Sequence, residues 1–449
     1  MSSTRSILLL EDDEKHIARF RQLVAELGAG LELKVWRDTH SMLAECEPFF
    51  ARATLICLND APNSLPETQT VTDTEPDLST FLGDFLPVCP VLIHSSDLDR
   101  AVSIQGELDR AGWRVDRVSS SEADRIETTW LRRARELIEG CSNTWNAILP
   151  TDHAARVERM RCSLNGLGVG DALGEMLSWE PHSAPERLAS NSLPRSPWFH
   201  TDDTEMAISV VAVVNSHGEV NQEALARRFA RRFERDPYRG YGHMTRIQLR
   251  DINSGANWRD TAADAFSGQG SMGNGGAMRV APLGAYFADD LERCVSEARA
   301  SAIVTHTHPE GIAETIAVAV GTALAWQLRG TSGLRRTRRF FEEVLDLTPQ
   351  SQVRSAIEQA SQLPANAPVD EVAEMLGNGA LVTALDTVPF CLWIAAHHLG
   401  DYVTALAQAI RVGGDCDTNA AIVGGMVALS AGDDAIPTKW LAARESVWI

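Results

Sequence analysis

Basic residues are scarce in this chain relative to acidic ones. Over 449 residues it carries 41 Lys and Arg against 61 Asp and Glu, which gives a formal net charge of -20. So acidic a surface argues against a nucleic acid or an anionic membrane as a partner bound through a basic face. Small phosphates are not excluded by the charge, because backbone amides can bind them.

Long apolar runs and paired cysteines are also missing. No uncharged apolar run reaches the roughly 18 residues that indicate a membrane-spanning helix, and no secretory hydrophobic segment follows Met1. None of the eight cysteines forms a Cys-x-x-Cys pair, and their spacing indicates neither a zinc site nor a disulfide framework. We therefore expect a cytoplasmic protein of two or three domains, with no membrane partner.

The first part of the chain alternates short apolar runs with amphipathic ones. This alternation over residues 5 to about 118 indicates a parallel sheet with crossover helices. The predicted strands are 6–10, 31–36, 53–58, 90–94 and 113–118, and the predicted helices are 16–27, 41–50 and 128–139.

This N-terminal region resembles a response-regulator receiver domain, which has a flavodoxin-like fold. The positions that carry the resemblance follow the first, third and fourth strands and are Glu11, Asp12, Asp13, Asp60, Ser95 and Ser96. Asp60 stands where the family has its phosphoacceptor, but Arg117 stands where a Lys is expected, and the loop 61–78 is long and acidic. Two interpretations are open: a working phosphoacceptor at Asp60, or a degenerate receiver that serves packing or partner contact.

From about residue 152 the chain changes to segments of helical length and period, and strand patterns become scarce. The sequence therefore predicts a multidomain protein with an N-terminal α/β receiver-like domain at 1–140, a linker at 141–152 and a mainly all-α domain at 153–449. The predicted helices of the second domain are 152–168, 203–215, 221–235, 290–304, 311–329, 335–346, 352–362, 369–376, 379–399, 401–411 and 418–430.

Two short acidic clusters, each followed by an apolar run of helical length, stand more than 200 residues apart. The first is Thr-Asp-Asp-Thr at 201–204, and the second is Gly-Gly-Asp-Cys-Asp-Thr at 413–418. If the fold brings them together, four carboxylates share one pocket, and only a bound cation makes that crowding tolerable. Carboxylate and hydroxyl oxygens favour Mg²⁺, Mn²⁺ or Ca²⁺ over Zn²⁺. The alternative is that each cluster is only a helix N-cap.

A glycine-rich loop holds five glycines between residues 268 and 276. Such a run lets several backbone N–H groups turn toward one anion, which favours a phosphate cradle. It is neither a Walker loop nor a dinucleotide fingerprint, because no Gly-Lys-Ser/Thr follows it and no strand precedes it. A flexible surface loop is the alternative, and the apolar pattern that resumes at Met278 argues against it.

Three smaller motifs are ambiguous by themselves. The turn at 240–243 could approach a ligand by its backbone, and Asp171, among the small residues of 166–174, is interpreted either as support for the site or as part of tight helix packing. His306 and His308 stand before a helix, where capping and a core histidine compete with a metal site.

Taken in order, six motifs resemble the ADP-ribosylglycohydrolase family. This is the all-helical, dinuclear-magnesium family that includes the dinitrogenase reductase-activating glycohydrolase. The resemblance covers about residues 155 to 435, and the motifs are 170–174, 201–204, 240–242, 273–279, 305–306 and 414–418.

The resemblance implies two Mg²⁺ ions, with Mn²⁺ as the alternative, in a central cleft. The implied metal ligands are Thr201, Asp202, Asp203, Asp415, Asp417 and Thr418. Asp202 and Asp203 are also the implied catalytic residues, one of them as general base. The implied substrate-binding residues, with the glycine loop along the diphosphate of ADP-ribose and the histidine near its ribose, are Asp171, Gly240, Gly242, Gly270, Ser271, Met272, Gly273, Asn274 and His306.

One position departs from the family pattern. Many relatives carry Glu four residues after the last glycine of the Gly-Asp-x-x-Gly element, whereas this chain has Ser178, with Glu175 and Glu180 nearby. The role of that Glu is therefore open, with Asp202, Asp203 and Glu180 as the alternatives.

The resemblance implies a magnesium-dependent hydrolase that releases ADP-ribose from a modified side chain of a protein substrate, with the Arg linkage favoured. The alternatives are an immunity factor that neutralises an ADP-ribosyltransferase toxin, or a protein that binds ADP-ribose with little turnover. A third interpretation is a hydrolase gated by phosphorylation at Asp60.

Overall fold

The chain divides into two compact units, Met1–Leu149 and Pro150–Ile449, and each is described by itself. The structure is a computed structural model, and it describes residues 5–27, 30–45, 49, 53–59, 82, 89–95, 98–110, 113, 115–119, 126–141 and 150–447. The predicted boundaries at 140 and 152 stay predictions, and residues 142–149 of the predicted linker lie outside the described residues.

The N-terminal unit contains a five-stranded parallel sheet with the order β2-β1-β3-β4-β5. Its strands are β1 (Arg5–Leu10), β2 (Leu31–Trp36), β3 (Ala53–Asn59), β4 (Val91–Ser95) and β5 (Val115–Ser119). Leu9 pairs with Val35 on one side and with Cys57 on the other. The order reverses at β1, which is the point of a doubly wound sheet where ligands bind beyond the carboxyl ends of the strands. The predicted flavodoxin-like sheet is thereby confirmed.

Apolar residues on both faces of the strands explain why this sheet is covered on both sides. Ile7 and Leu9 belong to one apolar cluster, and Leu8 and Leu10 belong to the other. The helices of the unit are α1 (Glu14–Glu26), α2 (Thr39–Glu45), α3 (Leu98–Arg110) and α4 (Ile126–Cys141). Of these, α3 was not among the helices that we specified from the sequence.

The receiver-like positions are only partly described. Glu11 follows β1 and is buried, Ser95 ends β4 and is buried, and Arg117 lies within β5. Asp60, Ser96 and the loop 61–78 lie outside the described residues, so the phosphoacceptor stays a prediction.

The C-terminal unit is almost entirely helical, as predicted. Its helices are α5 (His153–Leu177), α6 (Ala184–Ala189), α7 (Asp202–His217), α8 (Gln222–Arg235), α9 (His243–Asn253), α10 (Trp258–Gly268), α11 (Ala281–Tyr286), α12 (Leu291–Ala302), α13 (Pro309–Gln327), α14 (Leu334–Leu347), α15 (Gln352–Gln362), α16 (Val369–Leu376), α17 (Ala384–His398), α18 (Tyr402–Arg411), α19 (Cys416–Ala431) and α20 (Thr438–Ala443), with 3₁₀ turns at Pro181–Ser183 and Asp433–Ala435. Among the described helices, none is long and apolar enough to cross a membrane.

Helix α5 runs nine residues beyond the end predicted at 168, to Leu177. The reason is a glycine stripe that faces α19. A Cβ at Gly166 would lie 2.4 Å from the Gly424 carbonyl oxygen, and one at Gly170 would lie 2.1 Å from that of Ala420. Each helical glycine costs about 1 kcal/mol relative to alanine, but only glycine lets the two backbones pack this closely. The helix therefore continues through residues that look like breakers in the sequence.

Candidate active site

Asp171 anchors the start of α7 to α5. Its two carboxylate oxygens each accept a hydrogen bond from the Thr201 N–H at 3.1 Å, and one of them also accepts from the Thr204 N–H at 3.0 Å and from the Thr204 hydroxyl. Asp171 is fully buried. These contacts favour a positioning role for Asp171, and its predicted contact with substrate stays a prediction.

The first acidic cluster combines a helix cap with two carboxylates that do no capping. Thr201 is the N-cap residue of α7, because its hydroxyl oxygen accepts from the Asp203 N–H at 3.4 Å. The same hydroxyl donates to Asp203 Oδ2 at 3.2 Å. Asp203 Oδ1 is buried and has no hydrogen-bond partner among the described residues. The N-cap interpretation therefore accounts for Thr201 and leaves the carboxylates of Asp202 and Asp203 unexplained.

The second cluster lies at the start of α19. Asp415 precedes this helix and makes no capping hydrogen bond with its side chain. One of its oxygens accepts from Asn274 Nδ2 at 2.7 Å instead. Burial and the charge of Asp417 raise the pKa of Asp415 to about 8, although hydrogen bonds from Asn274 and Thr418 oppose the shift. Asn274 thus ties the glycine loop to the second cluster.

The two clusters meet, as their electrostatics show. Burial raises the pKa of Asp203 well above its usual range, and the charges of Asp417, Asp171, Asp202 and Asp415 raise it further. The pKa of Asp202 is likewise raised well above its usual range, first by burial and then by Asp417. Asp171 reaches about 6, mainly through burial. Carboxylates from the start of α7 and the start of α19 therefore repel one another, and we call this place the acidic centre (Asp202, Asp203, Asp415 and Asp417).

The acidic centre fits hard divalent cations. Its donors are oxygens, one of them is a buried oxygen without a partner, and a cation would relieve the repulsion that raises these pKa values. Among the described residues, no three of these carboxylates place one oxygen each within 4.8 Å of one another. The assignment of Thr201, Asp417 and the other residues as ligands stays a prediction.

The glycine loop offers fewer free N–H groups than its glycine content indicates. The Gly270 N–H donates to the Ala265 carbonyl at 2.9 Å, and the Gly273 N–H donates to the Ser271 hydroxyl at 3.2 Å. The Asn274 N–H donates to the Val382 carbonyl at 3.4 Å. The N–H groups that have no acceptor among the described residues are those of Ser271, Met272 and Gly275. An anion cradle would therefore consist of these three donors.

His306 lies beneath this loop. A Cβ at Gly275 would lie 2.7 Å from the ring of His306, which explains the glycine there. Burial, together with the charge of Arg279, lowers the pKa of His306 to about 3, so the imidazole is neutral at physiological pH. Its Nδ1 lies 2.7 Å from the Thr305 hydroxyl. Its predicted contact with the ribose stays a prediction.

The two glycines of the turn at 240–242 differ. Gly240 has a φ of +95° and borders the acidic centre, since a Cβ there would lie 3.2 Å from Asp202 Oδ1. Gly242 precedes α9, and a Cβ there would meet only the Thr245 hydroxyl, at 4.0 Å. The groove-lining prediction is therefore better supported for Gly240 than for Gly242.

Ser178 supplies no carboxylate to the acidic centre. Its hydroxyl donates to the Glu175 carbonyl at 2.7 Å, at the end of α5. Glu180 is exposed and lies 3.9 Å from Arg187. The carboxyl of Glu175 interacts electrostatically with the acidic centre, because partial burial and the charge of Asp417 raise its pKa. Of the two nearby glutamates, Glu175 is the one that the structure places toward the acidic centre.

Sequence reasoning missed two groups of buried charges. Glu205 accepts from His200 Nε2 at 3.1 Å and from Arg232 Nε at 2.5 Å. Arg279 is fully buried and donates to the Ser301 carbonyl and the Thr305 hydroxyl, beneath the end of the glycine loop. Glu314, on α13, faces the same loop end, and burial raises its pKa well above the usual range. Of these residues, only Arg279 belongs to one of the six motifs, and nothing in the local sequence indicates the partners of the others.

Comparisons with known proteins agree with the motifs. The model of the ADP-ribosylglycohydrolase family matches residues 152–449, so the N-terminal unit lies outside the match. ADP-ribosylhydrolase ARH3 of Xenopus tropicalis is 28% identical over 328 residues, which cover 65% of this chain and 92% of that protein. ADP-ribosylarginine hydrolase Tri1 of Serratia proteamaculans (strain 568) is 23% identical over 309 residues, covering 67% of this chain and 78% of that protein.

Among solved structures, this chain is similar to one named ADP-ribosylglycohydrolase-related protein complex. The two are 24% identical, with a TM-score of 0.46, over 65% of this chain and 93% of that one. Because the family model matches well over half of the chain, this protein belongs to the ADP-ribosylglycohydrolase family of enzymes.

Proposed function

We propose that this protein is a magnesium-dependent hydrolase that releases ADP-ribose from a modified protein side chain. The observation that carries the proposal is the meeting of two distant acidic clusters in one buried centre, where Asp203 Oδ1 has no hydrogen-bond partner among the described residues. Beside this centre, Asn274 joins the glycine loop to Asp415. ADP-ribose needs both parts, because it carries a diphosphate and a ribose diol.

The residues divide the work as follows. Thr201, Asp202, Asp203, Asp415, Asp417 and Thr418 would hold two Mg²⁺ ions, which supply Lewis acidity toward the ribose hydroxyls and a bound water when present. The N–H groups of Ser271, Met272 and Gly275 hold the diphosphate. Asp202 or Asp203 takes the proton from the attacking water. The water oxygen bonds to the anomeric carbon and the glycosidic bond breaks. The leaving side chain keeps the electron pair of that bond and gains the proton that the aspartate took from the water.

The charge of the chain favours a protein substrate, and the name of one relative favours the Arg linkage. The chain has a formal net charge of -20, which attracts a basic protein surface. The Serratia relative is named an ADP-ribosylarginine hydrolase, whereas the Xenopus relative is named only an ADP-ribosylhydrolase. We therefore propose ADP-ribosylated protein as the partner and arginine as the linkage site.

A release assay tests the proposal. Two substrates, one ADP-ribosylated on arginine and one on serine, are incubated with substoichiometric enzyme in Mg²⁺ and in EDTA. We expect multiple turnovers on the arginine substrate in Mg²⁺ and no turnover in EDTA. Equal rates in EDTA would refute metal dependence, and faster release from serine would refute the linkage.

One observation favours a second candidate function. Ser178 stands at the position where the family resemblance implies Glu, and its hydroxyl donates to the Glu175 carbonyl. A protein that binds ADP-ribose, or that neutralises an ADP-ribosyltransferase toxin, would tolerate this loss. In the same assay, protection of a target only at a one-to-one ratio with the toxin, without turnover, would support this candidate over the hydrolase.

A further inference from the structure

Three metal-ligand side chains meet at the carboxyl edge of the N-terminal sheet. Glu11 follows β1, His16 lies in the first turn of α1 and His94 lies in β4. One ligand atom from each lies within 4.8 Å of the other two. Glu11 Oε2 is 3.3 Å from His16 Nδ1 and 4.0 Å from His94 Nδ1. The two imidazole rings stand nearly perpendicular, with centroids 5.5 Å apart.

The Glu11 carboxylate is held with one oxygen toward the imidazoles. Its Oε1 accepts hydrogen bonds from the backbone N–H groups of Asp12 and Asp13, both at 3.1 Å, and from Asn59 Nδ2 at 2.9 Å. Asn59 ends β3, which lies between β1 and β4 in the sheet. Three donors on one oxygen fix the orientation of the group, so Oε2 is presented to the histidines as a preset ligand.

The contact between Glu11 Oε2 and His16 Nδ1 is a hydrogen bond, and its length also fits two ligand atoms on one metal ion. Two ligands of a tetrahedral zinc ion, each about 2.0–2.1 Å from the metal, are about 3.3 Å apart. The distance from Glu11 Oε2 to His16 Nδ1 is 3.3 Å, and His94 needs to approach by less than 1 Å.

The burial of these three side chains also suits a metal site. The side chains of Glu11 and His94 are 1% and 6% exposed, whereas that of His16 is 28% exposed. A cation could therefore enter past His16 and be held among side chains that are otherwise shielded from water. The place is also where doubly wound sheets bind ligands, beyond the carboxyl ends of their strands.

We propose that Glu11, His16 and His94 form a binding site for a divalent cation of the zinc class. Two imidazoles and one carboxylate leave a fourth position open for water or another ligand. Imidazole nitrogen selects a softer cation than the oxygen donors of the acidic centre do. The two units thus bind different metals, and the N-terminal site requires no activity of the helical unit.

The test is a zinc titration of the full chain, freed of metal, by calorimetry in millimolar Mg²⁺ that occupies oxygen-only sites. Co²⁺ absorption in the visible range reports tetrahedral nitrogen and oxygen ligands. We expect one zinc ion per chain, and at least a tenfold weaker affinity in His16→Ala and in Glu11→Gln. His16 lies on the helix surface, and Gln keeps an oxygen for the three donors, so both variants should fold.

Three matched variants locate the site. His182→Ala and Glu14→Gln remove the same groups elsewhere and should leave zinc binding unchanged, as should Asp203→Asn in the helical unit. Unchanged zinc affinity in His16→Ala and Glu11→Gln would overturn the proposal and leave these residues as an ion pair. Loss of binding in Asp203→Asn alone would also overturn it, because the zinc would then lie in the acidic centre.

Discussion

The first turn of α7 carries two carboxylates that experience opposite surroundings. Asp203 faces other carboxylates, and burial raises its pKa well above the usual range. Glu205 is buried as well, but hydrogen bonds from His200 and Arg232 and the charge of Arg232 outweigh burial and hold its pKa at about 2. The two residues are neighbours on one helix, so burial alone does not decide the charge state of a carboxylate.

The difference is whether the protein itself supplies the counter-charge. Around Glu205 it does, because Arg232 and His200 both hydrogen-bond that carboxylate. Around the acidic centre, the only hydrogen bond to Asp203 Oδ2 that the structure shows comes from the Thr201 hydroxyl. Removing the counter-charge of a neutralised, buried carboxylate destabilises the fold, whereas carboxylates that the chain leaves unneutralised favour an external cation.

The largest expected effect comes from a substitution in the acidic centre. Asp203→Asn should lower the Mg²⁺-dependent release of ADP-ribose by about 100-fold or more, because it removes a candidate ligand and general base. Thermal stability in EDTA should be unchanged or higher, since one repelling carboxylate is gone. Initial rates and melting curves measure both effects, with the exposed Glu186→Gln as the matched control. An unimpaired rate in Asp203→Asn would remove this residue from the active site.

The next prediction removes a counter-charge from Glu205, the carboxylate that the protein neutralises. Arg232→Met should lower the free energy of unfolding by on the order of 3 kcal/mol, because Glu205 stays buried with fewer counter-charges. The double variant with Glu205→Gln should recover part of that loss. The concentration of Mg²⁺ needed for half-maximal activity should not change in either protein. Chemical denaturation gives the stabilities, and an equal stability of all three proteins would show that the ion pair contributes nothing.

A third change disturbs the packing between α5, which Asp171 ties to the first acidic cluster, and α19, which starts at the second. A Cβ at Gly170 would lie 2.1 Å from the Ala420 carbonyl oxygen, so Gly170→Val should cost roughly 1–3 kcal/mol or more and lower activity by pushing α5 and α19 apart. Gly168→Ala is the matched control on the same helix, because its Cβ would make ordinary contacts at 3.4 Å. We expect that control to change stability by less than about 1 kcal/mol. Similar denaturation midpoints for the two variants would contradict the role of close packing.

The smallest expected effect is a pH dependence of the metal-free protein. Folded Asp415 has a pKa of about 8, against 3.8 for an unperturbed aspartate, so the folded state binds more protons than the unfolded state between these values. The contribution is fully present below 3.8 and is lost as the pH rises through 8. From pH 7 to 8.5 stability in EDTA should therefore fall by on the order of 1 kcal/mol. Glu205 adds nothing in this range, because it is ionised in both states.

Magnesium should flatten this dependence, because a bound cation stabilises the ionised carboxylates. Denaturation at four pH values with and without Mg²⁺ measures it. Parallel curves in the two conditions would mean that no cation binds near Asp415.

Local patterns predicted a large part of this protein. The five strands, most helices of the second unit, both acidic clusters and the glycine loop are short stretches whose residue types carry their own signal. The order of six motifs predicted the family, which the match over residues 152–449 confirms. By contrast, the end of α5 was predicted too early, because the packing of Gly170 against Ala420 is invisible in a window of sequence.

The sequence by itself therefore determined the two kinds of unit, the family and the residues that could act, since each follows from side chains close together along the chain. The tertiary structure alone decided how those residues are used. It gave Glu205 a counter-charge and Asp203 none among the described residues. It also left three loop N–H groups without an acceptor in the described part of the chain, and it placed His94 beside Glu11 and His16. The physical reason is that burial and partner charges come from residues far apart in sequence, which only packing brings together.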